Sequence, residues 1–302
     1  MTAAARTVPQ TDATFEIREI PGVLGAEIIG LDLGRPLSEA DFLRIRRTLA
    51  EHQVVVVRDQ AALTPDQHIA FSRRFGPLDI HIQHHFHLPG HPEILVVSNV
   101  IEDGRPIGLA DAGRYWHSDL SYMALPSLGS LLHAREIPAD AGDTLFASLA
   151  AAYEALPIET QRRLHGLTAV HSYAARNRAQ QAVTGDLRPG LTAEQEAKVP
   201  PVIHPVVRVH PETGRPSLFI SEGFTTRIVE LPEKESRTLL AELFAHSVQD
   251  RFIYRHRWRP DDLVIWDNRQ GIHLATGVPP DVRRTLYRTT VRGDTPRGVA
   301  TS

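Results

Sequence analysis

Four β-forming residues, Leu263-Val264-Ile265-Trp266, followed at once by Asp267-Asn268, show the pattern that decides the fold of this chain. Short runs of the same kind recur at residues 94–97, 128–133, 144–146, 206–209, 218–220, 252–254 and 285–291. Two helical insertions interrupt them, at residues 149–164 and 233–244. Many short strands with occasional helices are typical of a mainly β sandwich or barrel that carries flanking helices on its outside.

The N-terminal third combines short strands, predicted within residues 15–33, with two helices and a buried strand. A helix is expected to begin at Ser38 behind a cap and to end near His52. Residues 54–57 are four consecutive valines, which predicts a strand buried on both faces. Thr64-Pro65 opens a second helix, and Gly76-Pro77 stops it.

Composition limits the function classes. The 302 residues are 42% hydrophobic and 23% charged with a net charge of −3, as in an ordinary globular protein. The absence of cysteine excludes a disulfide framework, thiolate metal sites and a cysteine nucleophile, so metal chemistry would have to use carboxylates and the 16 histidines. A pI near 6.6 gives no electrostatic reason to expect nucleic acid or a membrane as partner.

Two expectations concern organisation and location. We expect a disordered tail over residues 1–13 and a single domain over residues 14–302. No apolar run approaches the roughly 18 residues of a membrane span, and no secretory signal begins the sequence, so a cytoplasmic protein is expected. Residues 173–201 are long, polar and poor in apolar residues, which predicts a loop that serves as an active-site lid.

The first chemical signal is Trp116-His117-Ser118-Asp119. In an extended segment residues i and i+2 point to the same side, so His117 and Asp119 would project together. His273, which follows the predicted strand 263–266, is a candidate third ligand. Two histidines and one carboxylate leave coordination positions open, as non-haem Fe(II) requires to activate O₂ with a bidentate co-substrate.

The second signal is a pair of arginines near the C-terminus. Arg284 and Arg288 are four residues apart, so on a strand they share a face with Leu286. An arginine that points into a barrel is costly unless an anion meets it. A dicarboxylate co-substrate would supply that anion through bidentate hydrogen bonds.

From about Gly22 to Asp294 the chain resembles the taurine dioxygenase family of Fe(II)/2-oxoglutarate enzymes, which includes 2,4-dichlorophenoxyacetate dioxygenase. The motifs that carry the resemblance are Phe71-Ser72-Arg73-Arg74-Phe75-Gly76-Pro77, Trp116-His117-Ser118-Asp119, Gly142-Asp143-Thr144, Glu222-Gly223-Phe224-Thr225-Thr226-Arg227-Ile228, Trp266-Asp267-Asn268 and residues 284–288. The resemblance implies a double-stranded β-helix, the cupin-like jelly roll, as the fold of a single dioxygenase domain.

The resemblance also implies the site. His117, Asp119 and His273 would bind the iron, while Thr144 and Arg284 would hold the distal carboxylate of 2-oxoglutarate. Arg288 would lie near the other end of 2-oxoglutarate and near an anionic group of the substrate, as part of the catalytic set. The implied reaction consumes 2-oxoglutarate and O₂, yields succinate and CO₂, and hydroxylates a substrate C–H bond.

The resemblance is less complete among the residues that would contact the substrate. His81 falls where the taurine enzyme has its sulfonate-contacting histidine, and Phe224 is a candidate aromatic wall beside Arg288. Other pocket residues of the taurine enzyme, an asparagine, a tyrosine and a phenylalanine, align near Gly113, His84 and Asn177. The expected substrate is therefore a small organic anion: a sulfonate such as taurine, an alkyl sulfate ester or an aryloxyalkanoate. A homo-oligomer, dimer or tetramer, is expected from the family.

Two other classes of protein stay open at this point. Two histidines and a carboxylate also bind catalytic Zn²⁺ in hydrolases, although the chain has no His-Glu-x-x-His motif and a hydrolase has no need of paired inward arginines. The other alternative is a non-catalytic jelly-roll binding protein that has lost the metal.

Overall fold

The computed structural model describes residues 15–81, 83–110, 113–184 and 191–300, except for the side chains of residues 182–184. The tail predicted for residues 1–13 lies outside these ranges. The helices of the described residues are α1 (Glu39–His52), α2 (Pro65–Arg73), α3 (Leu149–Glu154), α4 (Ile158–Leu164), α5 (Tyr173–Thr184), α6 (Ala193–Lys198) and α7 (Glu233–Ser247). None of them is long and apolar enough to cross a membrane.

Strands make up most of the remaining structure. Their bounds are β1 (Glu16–Glu19), β2 (Ala26–Ile29), β3 (Val54–Val57), β4 (Leu78–Asp79), β5 (His87–Leu88), β6 (His91–Ser98), β7 (Ile101–Glu102), β8 (Arg105–Pro106), β9 (Ser127–Glu136), β10 (Thr144–Ser148), β11 (Thr168–His171), β12 (Val202–Pro205), β13 (Val207–Val209), β14 (Pro216–Leu218), β15 (Thr225–Ile228), β16 (Ile253–His256), β17 (Leu263–Asp267), β18 (Gly271–Ala275) and β19 (Thr285–Arg292).

Two sheets form the frame of the molecule. The larger, nine-stranded sheet has the order β1-β2-β3-β17-β9-β19-β6-β5, with β4 added beside β19. The smaller sheet has the order β16-β10-β18. All of these pairings are antiparallel except that of β2 with β3, which α1 connects. Further short sheets pair β11 with β12 and β15, β13 with β14, and β7 with β8.

The core lies in layers on both sides of each sheet. Val55 and Val57 of β3 pack with α1 and α2 on one face of the large sheet. Val54 and Val56 turn to the other face, where they share a cluster with Phe146 of the small sheet. The valine run is thus buried on both faces, as predicted. On its outer side the small sheet packs against α3 and α7. Two stacked antiparallel sheets with helices outside are the jelly-roll arrangement.

Capping residues explain where the first two helices begin. The Ser38 side chain accepts a hydrogen bond from the backbone N–H of Asp41 at 3.1 Å, which caps α1. At α2 the side chains of Thr64 and Gln67 form a reciprocal capping box, and Pro65 occupies the first turn, where no N–H is needed. Both predicted helix starts are confirmed.

Two predicted segments differ in the structure. The single helical insertion predicted over residues 149–164 is two helices, α3 and α4, because Pro157 has no N–H to continue α3 and disfavours helical geometry in Leu156. The segment 173–201, predicted as a loop, contains α5 and α6. The α6 helix begins with a second capping box, of Thr192 and Gln195, which local sequence reasoning missed.

Candidate active site

The two histidines and the carboxylate predicted from spacing lie together between the two sheets. His117 precedes β9 and forms an isolated antiparallel bridge with His273 of β18, and Asp119 follows two residues later. All three are buried, and one potential ligand atom from each lies within 4.8 Å of the others. His117 Nε2 is 3.6 Å from Asp119 Oδ1, and His273 Nε2 is 3.8 Å from Asp119 Oδ2.

Asp119 is fixed by hydrogen bonds from two elements of the frame. Ser130 of β9 donates its hydroxyl to Asp119 Oδ2 at 2.8 Å. The backbone N–H of Asp119 donates to Asn268 Oδ1 at 3.1 Å, and the Ser118 hydroxyl donates to the carbonyl of Asn268 at 2.8 Å. The Trp266-Asp267-Asn268 segment therefore positions the loop that carries Asp119.

The ring of His117 is held by its own loop. Its Nδ1 donates to the carbonyl oxygen of Tyr115 at 2.8 Å, so the Nε2 lone pair is left to face Asp119 and His273. Gly113 adopts φ +80°, and a Cβ there would lie 2.6 Å from His117 Cε1. Glycine at position 113 thus lets the chain close over the imidazole, which an asparagine would not allow.

The charge states of Asp119 and His273 suit a divalent cation. Burial alone would raise the pKa of the Asp119 carboxyl, but Arg288 and the two imidazoles outweigh it and hold that pKa well below its usual range. Burial, together with His117 and Arg288, lowers the pKa of His273 to about 3. The pair therefore offers a carboxylate and a neutral imidazole at neutral pH.

Both arginines of the predicted pair point between the sheets. Leu286 lies in the cluster between the sheets, and Arg284 and Arg288 flank it with the two-residue period of β19. Arg288 Nη1 lies 3.5 Å from Asp119 Oδ1. The Nε atoms of both arginines are buried without a hydrogen-bond partner among the described residues. A buried cation with unused donors is the mark of a site that receives an anion.

Thr144 and Arg284 both lie beside Trp258 at one end of the small sheet. Trp258 Nε1 donates to Thr144 Oγ1 at 3.0 Å, and Arg284 Cζ lies 6.0 Å from the Trp258 ring centre. Because the Thr144 oxygen accepts the indole N–H, its own O–H remains as a donor toward an acceptor such as a carboxylate. Burial and the neighbouring Arg114 lower the pKa of Arg284 to about 10, which still leaves the guanidinium charged at neutral pH.

Aromatic rings form the wall on the other side of the histidines. The Phe224 ring, just before β15, is edge-on to His117 at 6.2 Å and to Tyr122 at 4.8 Å. Tyr115 and Tyr173 also contact Phe224, at 5.9 and 6.3 Å between ring centres. This aromatic wall, Tyr115, Tyr122, Tyr173 and Phe224, places α5 beside the site.

His81 lies in the segment that follows β4. Burial and the nearby Arg288 lower the pKa of His81 to about 4, so the imidazole is neutral at physiological pH. Its Nδ1 accepts the backbone N–H of Gln83 at 3.2 Å, which leaves Nε2 with the hydrogen. His81 therefore offers a neutral hydrogen-bond donor, the Nε2–H group.

Some residues of the site have no signal in the sequence that local reasoning could use. Ser130 of β9 lies 11 residues after Asp119, and Tyr122 lies in the loop that follows Asp119. Trp258 contacts Thr144 across 114 residues.

A jelly roll with a His-x-Asp…His cluster between its sheets and unpartnered arginines beside it defines the class of non-haem iron dioxygenases that use an anionic co-substrate. Comparison with known proteins gives the family. Residues 16–290 match the model described as "Taurine catabolism dioxygenase TauD, TfdA family". The chain belongs to this family.

Relatives of similar identity carry different names. A 2,4-dichlorophenoxyacetate dioxygenase of Cupriavidus pinatubonensis is 37% identical over 90% of this chain and 96% of its own length. A pentalenolactone F synthase of Streptomyces arenae is 35% identical over 94% and 97%. A solved structure titled as a putative taurine dioxygenase of Burkholderia xenovorans is 32% identical, with a TM-score of 0.78 and 96% coverage of each chain.

These comparisons confirm the jelly-roll fold and the reaction class. The protein is an Fe(II)- and 2-oxoglutarate-dependent dioxygenase, and its co-substrates are 2-oxoglutarate and O₂. The zinc hydrolase and the non-catalytic binding protein, which the sequence left open, gain no support. The donor set observed between the sheets fits this chemistry.

Proposed function

We propose that this dioxygenase hydroxylates a C–H bond of a small organic anion, and that an aryloxyalkanoate fits its pocket better than taurine does. The observation that supports this proposal is Arg288: its buried Nε has no partner among the described residues, and its guanidinium lies beside Asp119 and close enough to act on Tyr122 of the aromatic wall. A carboxylate or sulfonate would satisfy that arginine, and an aromatic body would pack on Phe224.

We assign His117, Asp119 and His273 as the iron ligands. The iron, when bound with 2-oxoglutarate, supplies O₂ activation and C–H hydroxylation. Thr144 and Arg284 hold the distal carboxylate of 2-oxoglutarate by a hydroxyl and a guanidinium donor. Arg288 balances the Asp119 charge and orients the substrate anion, which makes it both a catalytic and a binding residue. His81 donates from Nε2 to the same anionic group, and Phe224 keeps water from the reacting carbon.

The product provides a direct readout. Hydroxylation at the carbon that bears an aryloxy or sulfonate group gives an unstable product, which breaks down to a carbonyl compound and releases a phenol or sulfite. Relatives named for 2,4-dichlorophenoxyacetate and phenoxypropionate support the aryloxy class, and a relative named as a sulfonate dioxygenase keeps sulfonates in the panel.

The test is succinate formation from 2-oxoglutarate with Fe(II) and ascorbate, over phenoxyalkanoates, taurine, longer alkylsulfonates and alkyl sulfates. We expect phenoxyalkanoates to stimulate succinate formation most, with one phenol released per succinate. Stimulation by taurine alone would contradict the preference for aryloxyalkanoates, but it would agree with the assigned dioxygenase reaction. If the Fe(II)-loaded protein formed no succinate, either with any of these compounds or without them, the result would contradict the dioxygenase site itself.

A variant pair checks the role of Arg288. Arg288→Gln should raise the KM for the organic anion by about 30-fold, since it removes a charged hydrogen bond worth roughly 2 kcal/mol. The matched control is Arg292→Gln, four residues along β19, because Arg292 is exposed and pairs with Asp79 at 2.9 Å. Equal KM values for both variants would contradict the assignment.

We further propose that α5 and α6 act as the lid predicted for residues 173–201. Tyr173 of α5 contacts Tyr122 at 4.8 Å, and Arg176 Cζ stacks over the Tyr115 ring at 3.9 Å. Arg178 of α5 pairs with Glu196 of α6 at 2.7 Å, so the two helices are linked. Limited proteolysis should show protection of this segment only when 2-oxoglutarate and substrate are both present; equal cleavage in all states would contradict it.

Location and assembly complete the proposal. We propose that the enzyme works in the cytoplasm, where 2-oxoglutarate and reduced iron are supplied, and that it forms a dimer or tetramer as its family does. Cell fractionation tests the first statement. Light scattering coupled to gel filtration tests the second, and a monomer at micromolar concentration would contradict it.

A further inference from the structure

The two lid helices, α5 and α6, are joined to the rest of the protein at one end of a pair of strands. His171 ends β11 directly before α5 begins at Tyr173, and Val202 begins β12 shortly after α6 ends. The two strands are antiparallel, with His171 opposite Val202. The polypeptide therefore enters and leaves the lid at neighbouring positions of one small sheet.

Each of these two strands carries a buried histidine that reaches the loop of residues 119–123. His204 of β12 donates from Nε2 to the carbonyl oxygen of Met123 at 3.0 Å. His171 Nδ1 of β11 lies 3.3 Å from the hydroxyl oxygen of Ser121. The two imidazole rings meet edge to face, with 5.3 Å between their centres. We call this pair of residues the histidine bridge, because it links the base of the lid to the loop.

The loop of residues 119–123 connects the metal-ligand cluster with the aromatic wall. Asp119 stands at its start, and the ring of Tyr122 packs on Tyr173 of α5 at 4.8 Å between ring centres. Leu120 has φ +55°, a left-handed conformation that residues other than glycine rarely adopt. Such a conformation persists only where neighbouring contacts hold it. The histidine bridge supplies contacts of this kind from the side of the lid.

The hydrogen bond from His204 is sheltered and made by a neutral ring. Burial lowers the pKa of His204, so the imidazole is neutral and carries a single N–H, which Met123 receives. The side chain is only 4% exposed, so the bond is shielded from water. A buried carbonyl oxygen that loses its donor is costly. We therefore expect the loop to loosen when this donor is removed.

We propose that His204 is a positioning residue that couples the lid to the loop of residues 119–123, so that closing of α5 and α6 over the substrate also fixes Asp119 and Tyr122. The inference rests on the proposed lid and on the proposed iron ligands. His204 acts on the site through the backbone of Met123. Removal of its N–H donor should therefore leave lid closure intact and release the loop from it.

Hydrogen exchange followed by mass spectrometry measures the lid and the loop separately. The sample is the Mn(II)-loaded protein with 2-oxoglutarate, without a further compound, with 2,4-dichlorophenoxyacetate and, in parallel, with taurine. In the wild-type protein the compound that binds should slow exchange in α5 and in residues 119–123 together. In His204→Leu it should slow α5 as in the wild type, whereas residues 119–123 should exchange about tenfold faster than in the wild type with and without the compound.

Two further variants separate the hydrogen bond from a general effect on packing. His204→Gln keeps an N–H donor near the position of Nε2 and should restore most of the protection of the loop. His246→Leu is the matched control, because His246 Nε2 of α7 also donates to a backbone carbonyl, that of Ala152, at 2.8 Å. Its residues 119–123 should exchange at the wild-type rate.

The outcomes separate the coupling from the proposed function. Wild-type exchange of residues 119–123 in His204→Leu, an equal increase in His246→Leu, or no restoration by His204→Gln would overturn the inference alone. Loss of protection in α5 as well as in the loop of His204→Leu would also overturn it, because the lid would then depend on the same hydrogen bond. If neither compound protected α5 in the wild-type protein, the proposed lid would fail together with the coupling.

Discussion

Two buried charged clusters meet at the end of β17, where Asp267 belongs to the first and Asn268 accepts the backbone N–H of Asp119 in the second. They differ in how completely the protein satisfies their charges. In the first, Asp267 accepts from Arg269 at 2.7 Å and lies 3.0 Å from His210, and Arg269 also pairs with Glu212. In the second, around Asp119, the arginines keep buried Nε atoms without a partner among the described residues. We call the first the closed network and the second the open site.

The difference shows how to distinguish buried charged residues that stabilise the fold from those that bind a ligand. The closed network joins the ends of β17, the turn after β13 and, through Glu212 and Arg46, helix α1. Every charge in it meets an opposite one, and Arg269 together with His210 holds the pKa of Asp267 well below its usual range against the effect of burial. The open site has comparable burial, yet the Nε donors of Arg284 and Arg288 lack a partner among the described residues. Unused arginine donors beside a cluster of possible metal ligands, and not burial alone, indicate the place where an anionic ligand binds.

The largest expected effect is loss of activity without loss of fold. Asp119→Ala removes the one carboxylate of the open site, so succinate formation should fall by more than about 100-fold, beyond the effect of losing a residue that only orients a ligand. The thermal midpoint should stay close to that of the wild type, because Arg288 retains access to water or substrate. Mn(II) binding should be lost in parallel. Full activity in this variant, or in His117→Ala or His273→Ala, would contradict the ligand assignment.

The closed network should respond in the opposite way. Asp267→Ala leaves Arg269 and His210 buried without their carboxylate, which should cost about 3–5 kcal/mol of unfolding free energy and lower the thermal midpoint by about 5–8 °C. Glu235→Ala, at an exposed carboxylate of α7, is the control and should change the midpoint little. If Asp267→Ala unfolded at the wild-type temperature, the comparison between the two clusters would fail.

Acidification tests a third kind of buried group, the neutral histidines. Burial, with a smaller effect of His133, lowers the pKa of His68 to about 3, and burial with His204 lowers that of His171 to about 3. The unfolded chain binds a proton at each histidine near pH 6.5, whereas the folded chain does so only near pH 3, so stability is full above pH 6.5 and falls as the pH drops toward 3. Each histidine should cost about 2 kcal/mol at pH 5.

Urea unfolding at pH 7 and pH 5 measures this loss. His171→Phe should reduce the difference between the two pH values by about the contribution of one histidine. His85→Gln, at an exposed histidine, should leave the difference unchanged. A wild-type protein that is equally stable at both pH values would contradict the neutral state of the buried histidines.

Sequence reasoning succeeded where the signal is local. The long strands β9, β17 and β19 and the capped helices α1 and α2 follow from apolar runs and from caps that lie next to them in the chain. Strands β11, β12 and β18 were missed because each has only four or five residues, with histidine, threonine, glycine or proline among them. Their pairing with neighbouring strands, and not their composition, makes them strands.

The same limit applies to the site. The His117–Asp119 pair followed from the i, i+2 rule, and the shared face of Arg284 and Arg288 followed from strand periodicity. Ser130 and Trp258 could not be predicted, because a hydrogen bond between residues far apart in the chain leaves no pattern in either segment. Residues 173–201 were predicted as a loop because their polar composition hides the helices α5 and α6, and the inner contacts of α5 are aromatic and cationic.

The smallest expected effect concerns a single neutral hydrogen bond at the edge of the open site. Trp258→Phe keeps an aromatic ring at this position but removes the N–H that donates to Thr144 Oγ1, so the Thr144 hydroxyl is free to rotate away from the co-substrate. The KM for 2-oxoglutarate should rise about fivefold, which corresponds to about 1 kcal/mol for one hydrogen bond. In a Thr144→Val background the same substitution should add nothing, because the indole acts through that hydroxyl. Additive effects would mean that Trp258 contributes to the pocket by packing alone, and the open site would then owe its order to shape and not to oriented donors.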